Sequence, residues 1–158
     1  MKKHARSVLG VTLLEIMLVL AIAAMIIVMS IRYYQSASSA QQANAVLEQV
    51  QAINAAADSL AQASGSYADA DIANKIAPLL PNAGSMTTPW GDTITIGAVT
   101  ATSYSIDLGN VPSGVCPLVM SKLATNNHFS GSAAAGTALP DCTADAATAV
   151  TIYYISNP

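Results

Sequence analysis

From Ile16 to Met29 the chain carries no polar side chain, and a single carboxylate, Glu15, stands at the head of that run. Extended through Ile31, the stretch reaches the ~20 residues that a helix needs to cross a bilayer. No other feature restricts the fold as strongly, because such a segment must be buried in lipid or in a bundle of helices. An ionisable group in hydrocarbon costs roughly 2.5–3.5 kcal/mol on insertion scales, so Glu15 is expected to have a purpose.

Three readings of this region compete. A secretory signal peptide would explain the basic start (Lys2, Lys3, His4, Arg6) and the apolar core. Against it, Glu15 interrupts the core, and Arg32-Tyr33-Tyr34-Gln35 follows instead of a small-x-small cleavage site. A plain membrane anchor would be oriented by Lys2, Lys3 and Arg6, which hold the N-terminus inside. The third reading rests on Gly10-Val11-Thr12-Leu13-Leu14-Glu15. These residues resemble the type IV prepilin signature: a short basic leader ending in Gly, a cut before the apolar run, and a Glu fifth after the cut.

The resemblance implies a specific chemistry. A prepilin peptidase would cut the Gly10–Val11 bond on the cytoplasmic side and methylate the new amino group of Val11. Glu15 would pair with the N-terminal amine of a neighbouring subunit and set the axial register of adjacent helices. Two unpaired charges in an apolar bundle are costly, and joining them relieves both. Val11 departs from the Phe common in the larger pilin subfamily; a varied first residue is more typical of the type IVb group. Tyr33-Tyr34-Gln35-Ser36-Ala37-Ser38 is similar to the same stretch of bundlin-type pilins, which belong to that group. Arg32, Tyr33 and Tyr34 also suit a membrane interface.

Charge is scarce, at 9% of the 158 residues against roughly 25% in ordinary globular domains. The membrane segment accounts for part of the deficit, and an Ala/Ser/Thr-rich surface suited to packing among copies for the rest. Four of the six basic residues (Lys2, Lys3, Arg6, Arg32) lie in the first 32 positions, so loss of a ten-residue leader moves the formal charge from −3 to about −6. An acidic exported part argues against nucleic-acid binding through phosphate neutralisation.

Val11 to about Ala63 is expected to form one helix, since no Pro or Gly falls between Val11 and Ser64. At about 1.5 Å per residue, some 50 residues reach roughly 75 Å. In its second half Val46, Leu47, Val50, Ile53, Ala57 and Leu60 recur at helical spacing, with Gln42, Glu48, Gln49, Gln51, Asn54 and Asp58 on the other faces. A coiled-coil stalk would need a longer stripe, so packing on a sheet is preferred. Asp69 to Leu80 predicts a second helix stopped by Pro81, and Asn82 to Pro89 a loop. Pro89-Trp90-Gly91-Asp92 predicts a turn, with Trp90 as a packing anchor rather than a ligand platform. Thr93–Ile96 and Ser103–Leu108 alternate as a hairpin. Cys116 to Thr125 predicts a helix with Leu118, Val119 and Leu123 inward, and Asn126 to Pro140 a loop. Val150–Ile155 predicts a last strand, inserted into the sheet rather than added to its end.

Cys116 and Cys142 are the two cysteines. In an exported chain such a pair is most simply a disulfide, worth roughly 3 kcal/mol in the chain-entropy picture. In pilins a pair of this kind bounds the C-terminal D-region. A metal site is not expected: two Cys with the distant His128 do not match zinc spacing. Asp69/Asp71 and Asp141/Asp145 are too few carboxylates to claim calcium. Nor is a catalytic residue or cofactor site expected. His128 reads as a solvated loop residue, Ser103, Ser105 and Asp107 have no His nearby in sequence, and Gly131–Gly136 lacks the Lys and Ser/Thr of a phosphate loop.

The expected fold class is α+β, a pilin fold. A long N-terminal helix, transmembrane in its N-terminal half, packs on an antiparallel β-sheet head. Residues 1–10 are expected as leader, 11–35 as the transmembrane and assembly half of the helix, and 36–158 as the globular head. The implied function is structural: a type IV pilus subunit forming a homopolymer. The implied partners are the inner membrane, the prepilin peptidase, an assembly ATPase with its platform, and an outer-membrane secretin. The alternatives are a minor pilin or pseudopilin of a secretion or DNA-uptake system, and a membrane-anchored enzyme or receptor.

Overall fold

A computed structural model describes residues 12–69, 71–81, 86–142 and 148–158. In chain order the elements are α1 (Leu13–Ser64), α2 (Ile72–Ile76), a 3-10 turn (Ala77–Leu79), β1 (Ile94–Gly97), β2 (Ser103–Val111), α3 (Cys116–Leu123), β3 (Phe129–Ser130) and β4 (Thr148–Ile155). The chain separates into two compact units, residues 1–37 and 38–158.

In the first unit, Thr12 opens α1. Its hydroxyl oxygen and its carbonyl both accept from the Glu15 amide, at 3.3 and 3.0 Å. Thr-x-x-Glu is the spacing of a capping box, in which the helix start satisfies its own orphan donors. Beyond it the apolar run winds without interruption. Every large apolar side chain from Leu13 to Tyr34 is half or more exposed, and the most apolar 18-residue window has a mean hydropathy of 2.7. Ser30, just past the run, donates its hydroxyl to the Ile26 carbonyl at 2.9 Å, so even this polar group is satisfied within the helix.

In the second unit the rest of α1 changes character. Ala43, Val46, Leu47, Val50, Ile53, Ala56 and Ala57 are buried along one stripe. The stripe meets a four-stranded antiparallel sheet of order β1-β2-β4-β3, so the strand latest in sequence lies inside the sheet, as expected. Register aligns one inner row across the strands: Ile94 with Leu108, Ile106 with Ile152, Tyr104 with Tyr154, and Tyr154 with Phe129. All of these are buried with the α1 stripe in a single cluster. Alternation along each strand produces this, because successive side chains point to opposite faces.

Three sequence expectations are corrected. The second helix begins at Ile72 rather than Asp69 and gives way to a 3-10 turn at Ala77, where Pro78 has no amide to donate. Leu118 lies outward at 38% exposure, while Met120 takes an inward place beside Val119 and Leu123. The stretch from Asn126 to Pro140 is not all loop, since Phe129 and Ser130 pair with Tyr154 and Tyr153.

The turn before β1 is locked onto β2. Gly91 has φ +90°, and Thr88 and Asp92 close the turn through backbone and hydroxyl bonds of 2.7–3.1 Å. Trp90 is half-buried and donates its indole N–H to the Gly109 carbonyl at 2.9 Å, as a packing anchor should. Beside it β2 is irregular between Leu108 and Val111, with Asn110 at φ +43°. Asn110 donates to the Asp92 carboxylate at 2.5 Å, and a Cβ on Gly109 would meet that carboxylate at 2.7 Å. Glycine is the residue that allows this approach.

Candidate functional site

The Gly10–Val11 junction lies outside the described residues. Glu15 is described: it sits in the first turn of α1, with an exposed side chain and an amide held by Thr12. The apolar run Ile16–Met29 follows it with its large side chains half or more exposed, so its carboxylate stands at the end of an apolar cylinder.

Cys116 opens α3 and is joined to Cys142, with Cα atoms 5.7 Å apart and a sequence separation of 26. Cys116 is buried and Cys142 half-buried, so the bond ties α3 to the segment that leads toward β4. His128 takes no part in it. Among the described residues no group of three or more His, Cys, Asp or Glu could hold a metal. Asp69 is engaged by Lys75 in an ion pair and accepts from the Asp71 amide at 2.9 Å. Its hydrogen bond from Lys75 holds its carboxyl below the ordinary range and raises the lysine. Asp145 lies outside the described residues.

The structure also brings together a polar cluster that sequence reasoning did not find. Asp58 on α1 accepts from the hydroxyls of Tyr67 at 2.5 Å and Tyr154 at 3.2 Å. One turn earlier, Asn54 accepts from Tyr104 at 2.7 Å. The rings of Tyr104 and Tyr154 lie 5.2 Å apart, and Tyr67 is 5.4 Å from Tyr104. Burial raises all three phenols above their ordinary value, and the Asp58 carboxylate raises them further. They therefore remain neutral donors, and the cluster fastens helix to sheet. His128 is half-buried, not a solvated loop residue: its ring stacks on Tyr154 at 5.6 Å, and Nδ1 lies 2.7 Å from the Ile155 carbonyl. A carbonyl only accepts, which assigns the proton to Nδ1. A sequence signal did exist. Asn54 and Asp58 are spaced four apart and directly follow buried Ile53 and Ala57, on the rim of the apolar stripe.

No curated protein and no solved structure matches this chain. One family model, described as PilS N terminal, matches residues 40–155. That span covers the amphipathic half of α1, the whole sheet and both cysteines, and begins where the prepilin-like N-terminal stretch ends. With the long apolar helix, the antiparallel sheet and the joined cysteines, the match carries the conclusion that this chain belongs to the PilS N-terminal family and is a type IVb pilin-like protein.

Proposed function

We propose that the chain is the processed, polymerising subunit of a type IVb pilus, and its major subunit. One observation carries the reading most: from Leu13 to Tyr34 the large apolar side chains of α1 stand half or more exposed. Such a surface needs lipid first and other copies afterwards. The precursor rests in the inner membrane with Lys2, Lys3 and Arg6 on the cytoplasmic side. A prepilin peptidase cuts between Gly10 and Val11 and methylates the Val11 nitrogen. An assembly ATPase with its platform then draws the helix from lipid into the fibre core, where Glu15 meets the Val11 amine of the next subunit. The fibre leaves through an outer-membrane secretin and serves adhesion, aggregation, motility or conjugation. The joined Cys116 and Cys142 favour a pilin over a pseudopilin, because the loop that they close fits a D-region.

Intact-mass spectrometry of fibres sheared from the cell surface tests this. The expected mass lacks residues 1–10, gains one methyl and loses two hydrogens to the disulfide. A full-length mass confined to the membrane overturns the reading and leaves a membrane-anchored domain in its place. Trace abundance in the fibres would instead identify a minor pilin.

A further inference from the structure

The exported part of this chain is short of cations. Beyond residue 38 its basic side chains, histidine aside, are Lys75 and Lys122. Lys75 is taken by Asp69, whereas Lys122 is exposed and makes no ion pair among the described residues. It projects from the last turn of α3, four residues after Leu118, so the two share one face of that helix. Leu118 is itself one of the exposed large apolar residues of the 38–158 unit. This face therefore offers an aliphatic knob with an ammonium one turn away.

A groove elsewhere on the same unit has the opposite properties. It is about 220 Å³, larger than the roughly 150 Å³ cavities that admit a benzene ring. Ala45 and Ala52 of α1 form one wall, and Leu80, Pro81 and Met86 the other. Two acceptors also line it. Glu48 is exposed and makes no ion pair among the described residues. Gln49 donates its amide to the Thr87 carbonyl at 2.8 Å, and its Oε1 is buried without a hydrogen-bond partner among the described residues.

The geometry points to a second copy of this chain as the occupant: the Leu118–Lys122 face of α3 in one subunit seats in the Glu48–Gln49 groove of the next. Leu118 fills the apolar part. Lys122 neutralises Glu48, which stands exposed at the edge of the groove. Knob and groove are different surfaces, so the contact is head-to-tail and propagates instead of closing a two-fold dimer. This inference rests on the fibre reading above and adds to it the contact between heads.

Charge reversal tests it in cells carrying the full-length chain with its assembly machinery. Glu48→Lys and Lys122→Glu each place like charges together, and each is expected to lower sheared fibre on the order of tenfold. The oxidised subunit in the membrane should stay constant, since both side chains are exposed. The double variant restores the pair with reversed sign and is expected to return fibre to within about twofold of the unmodified chain. Leu118→Asn is expected to lower fibre without rescue by either charge change. Fibre yield insensitive to both reversals overturns the contact, and so does a double variant no better than the singles. An unmodified chain that gives no fibre overturns the polymer reading as well, so the two failures are distinguishable.

Discussion

Asp58 accepts from two tyrosines, and that single carboxylate joins the long helix to a strand ninety-six positions later in sequence. Asp58→Ala would leave both phenols without this acceptor and is expected to destabilise the chain by about 1–3 kcal/mol, read from denaturant unfolding in detergent. Asp58→Asn keeps an acceptor and should cost less. The same cluster sets the response to alkali. Tyr67, Tyr104 and Tyr154 have pKa values raised above the ordinary 10, so their contribution to stability is complete below pH 10. It is lost as pH rises above 10 toward their folded values, because the unfolded chain releases these protons first. Tyrosinate absorbance from these rings should therefore appear together with the loss of near-ultraviolet circular dichroism; early ionisation with the fold intact would contradict it. The residue scale was the hardest to read in advance. Helical spacing places Asn54 and Asp58 about 100° round from buried neighbours, where a polar residue can face water or reach inward. What decides is Tyr104 and Tyr154, and nothing local to α1 announces them. The half-buried place of His128 is hidden from local sequence for the same reason, since its stacking partner comes from β4.

At the scale of elements, those defined by their own residues were legible and those defined by a partner were not. The absence of Pro and Gly after Val11 specifies α1, and alternation specifies β1, β2 and β4. The two-residue β3 has no period of its own and exists because β4 lies beside it. The length of α2 is cut by Pro78, not by the later Pro81. The lock between the Thr88–Asp92 turn and β2 yields a test at this scale. Gly109→Ala would drive a methyl into the Asp92 carboxylate and is expected to cost about 1–3 kcal/mol. With Asp92→Ala already present the obstacle is gone, so the same glycine substitution should cost less. Unfolding midpoints for the two single variants and the double complete the cycle; strict additivity would show that turn and strand do not bear on each other.

For the whole molecule, the two compact units face different solvents. Residues 12–34 form a helix apolar on all sides, whereas residues 38–158 close a core of their own. Residues 38–158 produced alone are expected to be water-soluble, with Cys116 and Cys142 joined, whereas the full chain requires detergent; size-exclusion chromatography with and without detergent checks both. Aggregation of the shorter chain would mean that its core is incomplete. The membrane helix and the α+β class were plain from the sequence because each spans many residues of consistent pattern. The order of the strands was inferable only from how late the last one falls. That order also governs how the protein is made. β4 is the latest strand to leave the ribosome, yet it separates β2 from β3. Until it emerges, β2 has one bare edge and β3 has no neighbour, so the sheet cannot form piecemeal as synthesis proceeds. A chain cut short before residue 148 keeps a bare edge on β2 and leaves β3 unpaired, so the head closes only once its last strand is in place.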